Sequence, residues 1–186
     1  MLISLIGLPG GGKSTVGRQL ARRLHTDFVD SDAVIERRLA MPIRDVFERM
    51  GEPYFRDTEK EVIADLTRGN GVLATGGGAV LAQSNRDLLR RRSIVFYLSS
   101  TPAELLRRLR FDSKRPLLQV DDPLERLRQL YVERDPLYRE TAHYVIETGR
   151  PSVSTLVNMV LMQLELAGVV DPSTVPSPVG GRATSD

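Results

Sequence analysis

With 186 residues, 41% of them hydrophobic and 27% charged, the chain suits one globular domain with a sizeable core. It holds no cysteine, which excludes disulfides, cysteine-ligated zinc and thiol catalysis, and its net charge is only +2. No apolar stretch approaches the ~20 residues of a membrane span, and the apolar start lacks the basic flank and cleavage site of a signal peptide, so a cytoplasmic protein without a membrane partner is expected.

A first strand is predicted over 2–6 and a helix over 14–24, in which Val16, Leu20 and Leu24 recur every four residues. Between them stands Gly7-Leu8-Pro9-Gly10-Gly11-Gly12-Lys13-Ser14-Thr15, which reads G-x-x-x-x-G-K-S. Strand, glycine loop and helix form the context that a phosphate-binding loop needs. The glycines let backbone N–H groups turn inward around an anion, and the helix N-terminus adds its positive dipole end. In such a loop Lys13 reaches the β- and γ-phosphates and the Ser14 hydroxyl ligates Mg²⁺.

A second strand over 27–29 runs into Asp30-Ser31-Asp32 and a helix over 32–39. In open α/β sheets, ligands collect beyond the carboxyl ends of strands, so two acids beside the glycine loop suggest metal positioning and substrate binding. Asp32 is equally placed to cap the first N–H groups of its helix. Helices follow over 43–49 and 53–68. Arg56, in the first turn of the latter, opposes the helix dipole unless it faces an anion or Glu59, three residues on. After a strand over 71–74 come Gly76-Gly77-Gly78, which suit either close ligand approach with N–H donors or a tight strand-to-helix turn.

A helix over 83–91 leads to a strand over 93–98, whose run Ile94-Val95-Phe96-Tyr97-Leu98 reads as buried on both sides. Thr101 is positioned to cap a helix over 102–110 and Asp122 one over 123–140, each just before a proline. The clusters Arg90-Arg91-Arg92 and Arg107-Arg108 are interleaved with acids and helix-face leucines and read as solvated faces, so no nucleic-acid partner is expected. The linking segment 111–122, with Lys114-Arg115-Pro116-Leu117, is longer than an idle loop would be and suits an active-site lid. A strand over 143–147 and a helix over 153–166 complete the pattern. His25 and His143 have no partner at a suggestive spacing and read as structural. From Val169 to Asp186 the composition predicts an unstructured tail. The alternation as a whole predicts an α/β domain over 1–168, a parallel five-stranded sheet with helices on both faces.

Five ordered motifs resemble the shikimate kinase family of P-loop small-molecule kinases over about residues 1–166: G-L-P-G-G-G-K-S-T, D-S-D, G-E-x-x-F-R-x-x-E, T-G-G-G-A-V, and R-P-L-L followed by E-R-x-P-L-Y. The resemblance implies the P-loop kinase fold with a lid, ATP as co-substrate, Mg²⁺, a monomer, and transfer of the γ-phosphoryl group to the 3-hydroxyl of shikimate in aromatic amino acid biosynthesis. It implies that Gly10, Gly11, Gly12, Lys13, Ser14 and Thr15 cradle the phosphates, with Ser14 and Asp30 holding the metal. Asp32 would bind shikimate and orient or deprotonate its 3-hydroxyl. Arg56 and Arg134 would clamp its carboxylate, and Gly77 and Gly78 would donate N–H groups to its hydroxyls. Arg115 would close onto the transferring phosphate, and Arg108 would stack near adenine. Arg150 stands in Thr148-Gly149-Arg150-Pro151, where the family's adenine loop lies, although the proline removes an N–H. Two further readings remain: a kinase for another polyol acid such as gluconate, whose carboxylate the paired arginines would also suit, and a nonenzymatic nucleotide-binding relative, which the presence of Lys13, Asp32 and Arg115 argues against.

Overall fold

The structure, a computed structural model, describes residues 1–109, 121–171 and 173–175. Five parallel strands, β1 (Leu2–Ile6), β2 (Phe28–Asp30), β3 (Gly71–Ala74), β4 (Ile94–Ser99) and β5 (Tyr144–Glu147), form one sheet in the order β2-β3-β1-β4-β5. The central strand β1 pairs with β3 (Ile3 opposite Val72) and with β4 (Leu5 opposite Phe96). Its two alternating residue sets feed two cores. Leu2 and Ile6 join Leu73, Val95 and Tyr97 on one face, whereas Ile3 and Leu5 join Val72, Phe96 and Leu98 on the other. This is why β1, β3 and most of β4 are buried and read as continuous apolar runs.

The helices are α1 (Lys13–Arg23), α2 (Ser31–Leu39), α3 (Ile43–Met50), α4 (Glu52–Leu66), α5 (Gln83–Arg92), α6 (Pro102–Leu109), α7 (Pro123–Thr141) and α8 (Val153–Leu166). Helices α1 and α8 cover the Ile3/Leu5 face through Val16, Leu20, Val157 and Val160. Helices α5, α6 and α7 cover the other through Leu89, Leu105, Leu130 and Tyr138. A satellite core of Ile35, Val46, Phe55 and Val62 ties α2, α3 and α4 together beside the sheet. Gly17 explains how α1 lies so near its strands: a Cβ there would meet the Phe28 ring at 2.5 Å.

Every strand and helix expected within the described residues is present, with ends displaced by one or two residues. A 3₁₀ turn over Ala79–Leu81 is an addition. The expected caps form at Thr101, whose Oγ1 accepts from Glu104 N at 3.2 Å, and at Asp122, whose Oδ1 accepts from Glu125 N at 3.1 Å. One open alternative is settled and one expectation needs correction. The residue capping α2 is Asp30, not Asp32, because Asp30 Oδ1 accepts from the N–H groups of Asp32 (2.9 Å) and Ala33 (3.3 Å). The unstructured tail does not begin at Val169: Asp171 and Thr174 form a hydrogen-bonded turn, and Val175, 6% exposed, packs into the α1/α8 core. The composition of this segment hid the apolar anchors Val170 and Val175. Most of the candidate lid, with Arg115, and residues 176–186 of the tail lie outside the described residues. Among the described residues no helix is long and apolar enough to cross a membrane.

Candidate active site

The site forms at the carboxyl ends of the strands, where the turns after β1, β2, β3 and β5 converge on a cavity of about 600 Å³. Its floor is the glycine loop. Gly12, with φ of 86°, precedes α1 in the left-handed region, and no side chain caps that helix. An anion at this helix N-terminus would meet the positive end of its dipole. The Lys13 ammonium is held inside the loop, donating to the carbonyls of Gly7 (2.7 Å) and Leu8 (2.9 Å). Gly10, Gly11, Gly12, Lys13, Ser14 and Thr15 all line the cavity, as do Asp30 and Asp32.

The two acids divide the work that the sequence left open. Asp30 fixes α2 with Oδ1 and accepts from the Ser14 hydroxyl with Oδ2 at 2.7 Å. Two hard oxygen ligands thus lie side by side next to the loop, a donor pair that fits Mg²⁺ completed by phosphate oxygens and water. Asp32, freed from capping, points at the third turn. Burial is the main reason that its carboxyl is pushed up to about 6, with the negative charges of Asp30 and Glu59 adding and Lys13 opposing.

The three glycines after β3 are needed for space rather than for a special φ. A Cβ on Gly76 would meet Asp32 Oδ1 at 2.5 Å, one on Gly77 would meet Pro9 Cδ at 2.6 Å, and one on Gly78 would meet the Arg56 guanidinium at 2.4 Å. The loop is therefore a crossing point between the phosphate loop, Asp32 and Arg56. Its first N–H is already used: Gly76 N donates to the buried Ser31 hydroxyl at 3.0 Å, which locks the turn after β3 to the turn after β2.

Arg56 lies on α4 against this loop. Its Nη1 donates to Glu59 Oε1 at 2.8 Å and its Nε to Glu52 Oε1 at 3.3 Å, so the carboxylate three residues on does orient it. Glu59 is 1% exposed and its carboxyl is raised from the usual range, burial outweighing the nearby Arg56 and Arg134 charges. Arg134, on α7, approaches the same region from the other side. Glu59 Oε2 and Arg134 Nε are both buried without a partner, which marks a polar space built for something else to fill. Tyr138, one turn along α7 from Arg134, donates its hydroxyl proton to the Gly77 carbonyl at 2.5 Å.

At the far end of the cavity Arg108 is held by the Thr148 carbonyl (2.6 Å) and the hydroxyls of Ser100 (3.2 Å) and Thr148 (3.3 Å), which also bond each other. Pro151 and Ser152 form the facing wall. Arg150 is not part of this cavity. It lines a neighbouring one of about 460 Å³ with Glu104 and Glu147, so the loop presents its proline, not its arginine, to the site. Sequence reasoning also missed Ser31, Ser100, Thr148 and Tyr138. The last was within reach, four residues from Arg134 on one helix face.

A parallel sheet of this strand order, with a glycine loop feeding α1 and the acids Asp30 and Asp32 in the same cavity, defines the P-loop kinase fold. The family model described as shikimate kinase matches residues 9–165. A shikimate kinase from Paracidovorax citrulli is 58% identical, covering 92% of this chain and 96% of its own. The structure of a shikimate kinase from Acinetobacter baumannii in complex with shikimate is 46% identical at a TM-score of 0.85, covering 91% of this chain and 95% of that one. A gluconokinase from Sinorhizobium meliloti is 18% identical at a TM-score of 0.58 over 89% of this chain and 91% of its own, which shows the fold alone. The chain belongs to the shikimate kinase family.

Proposed function

We propose that this protein transfers the γ-phosphoryl group of ATP to the 3-hydroxyl of shikimate, releasing ADP and shikimate 3-phosphate. The observation that carries this is the position of Asp32: it lines the cavity with the phosphate loop, and it touches the glycine turn whose other neighbour is Arg56. A substrate hydroxyl bound there would lie between the nucleotide and a carboxylate. Phosphoryl transfer is mostly positioning and charge stabilisation. Gly10 to Thr15 cradle the phosphates, and Lys13 exchanges its carbonyl partners for phosphate oxygens. Ser14 and Asp30 hold Mg²⁺, which neutralises charge on the bound phosphates. Asp32 aligns the 3-hydroxyl and accepts its proton. Its raised affinity for a proton suits a group that must take one and release it near neutral pH.

Arg56 and Arg134 bind the substrate carboxylate, a role that the unpartnered Arg134 Nε supports. Gly77 and Gly78 offer backbone N–H groups to the ring hydroxyls. Arg108 and Pro151, which line the cavity, flank the adenine. Arg115 closes from the lid onto the transferring phosphate. We take the enzyme to be monomeric and cytoplasmic, without nucleic-acid or membrane partners, in keeping with its lack of cysteine and its balanced charge.

ADP release from Mg·ATP is the test, measured with shikimate, quinate and gluconate in turn. Stimulation by shikimate alone is expected. Stimulation by another acid would move the substrate, and none by any, with ATP still bound, would leave a nonenzymatic nucleotide-binding protein.

A further inference from the structure

Helix α7 contains Pro136, between Arg134 and Tyr138. A proline inside a helix removes the N–H that would bond the carbonyl four residues back, here that of Val132. The stretch that must hold Arg134 over the substrate is therefore weakened in its backbone, and side chains have to fix it. Three do so. Asp135 accepts from the Tyr97 hydroxyl (2.7 Å) and from Arg139 Nε (3.0 Å), which pins the outer side of this turn to β4. On the inner side, Tyr138 is fully buried, and its ring packs against Tyr97 with centroids 4.9 Å apart. Its hydroxyl donates to the Gly77 carbonyl, and Arg134 lies four residues back on the same face of α7. Burial pushes the phenol well above its usual range, which keeps the proton that the Gly77 bond requires.

We propose that Tyr138 is a positioning residue for the substrate: by bonding the Gly77 carbonyl, its hydroxyl fixes the turn of α7 that carries Arg134 and sets the spacing between the glycine turn and the carboxylate-binding arginine. The proposal rests on the reading that Arg134 binds the substrate carboxylate. Tyr138 touches neither substrate nor nucleotide. Without its hydroxyl, Arg134 is free to turn toward Glu59, whose Oε2 is buried without a partner and whose charge already acts on it. Substrate would then have to break that pair before binding.

The test is a cycle of Tyr138→Phe, Arg134→Ala and the double variant, with Ser93→Ala as a control that loses a buried hydroxyl between α5 and β4, away from the site. Y138F should raise the KM for shikimate about tenfold, about the worth of one buried hydrogen bond, with kcat and the KM for ATP within about twofold. In the R134A background the same change should alter the shikimate KM by less than about twofold, because the group it positions is gone. S93A should leave the shikimate KM unchanged at a similar loss of melting temperature. Should Y138F prove too unstable to assay warm, shikimate affinity by calorimetry in the cold reads the same cycle. Additive effects of Y138F and R134A, an equal KM rise in S93A, or a Y138F effect on kcat alone would each overturn the proposal. R134A with an unchanged shikimate KM would overturn the clamp reading itself, and the proposal with it.

Discussion

Asp32→Asn should make the ligand-free protein more stable while abolishing turnover. The native carboxyl is pushed up from 3.8 to about 6, chiefly by burial. By linkage this corresponds to a cost of about 3 kcal/mol for carrying Asp32 ionised in the folded state at neutral pH. The sign follows from the direction of the shift. Below the unfolded value both states hold the proton and the cost vanishes. As pH rises through the interval up to about 6, the unfolded chain ionises first, so stability falls, and the loss is complete above the native value. Asparagine has the same shape against Gly76 and no charge. It should recover about 1–3 kcal/mol at pH near 7.5, the lower figure allowing for its own imperfect hydrogen bonding, and nothing near pH 4. Glu59, also raised, is common to both proteins and cancels in the difference. Urea unfolding of both proteins without ligand at about these two pH values measures it. An Asn variant no more stable than the parent at neutral pH, or a gap that does not close on acidification, would refute the argument that burial charges Asp32 at a cost.

Other consequences are open to simple assays. Lys13→Ala should cut kcat by at least about a hundredfold with the fold intact by circular dichroism; near-normal turnover would remove Lys13 from the phosphate site. Gly78→Ala places its methyl group on the Arg56 guanidinium, the far end of a flexible side chain. It should therefore spare the melting temperature and raise the shikimate KM about tenfold, whereas a large stability loss with normal KM would contradict this geometry. Val175→Asp buries a charge in the α1/α8 core and should cost about 1–3 kcal/mol in urea unfolding with unchanged kcat. An unaffected midpoint would mean that the segment after Gly168 is not docked in solution.

The fold was legible because two periodicities were clean: continuous apolar runs for strands buried on both faces, and four-residue spacing for α1. The phosphate loop was legible because backbone geometry and local sequence coincide there. Roles that depend on which of two neighbours turns inward were not. Asp30 and Asp32 are both acids two residues apart at a strand end, and either can cap a helix; only the register of α2 decides that Asp30 caps and Asp32 is left for the cavity. Arg150 and Pro151 present the same ambiguity after β5, where Pro151 lines the cavity and Arg150 lines the neighbouring one. Tyr138 and Ser31 act through hydrogen bonds to residues 61 and 45 positions distant, a separation no local pattern encodes. Val175 was hidden by the prolines and serines around it.

The contact between Pro9 and Gly77 bears on how this scaffold can change its substrate. Enlarging the acceptor-side turn at Gly77 would press a side chain onto a rigid ring of the loop that handles nucleotide. Selectivity and phosphate handling are thus mechanically joined at that point, and evolution or an engineer altering one there would disturb the other. The helices α4 and α7 meet that turn through the side chains of Arg56 and Tyr138. New acceptor preferences should arise through the residues they present, while the glycine turn stays fixed.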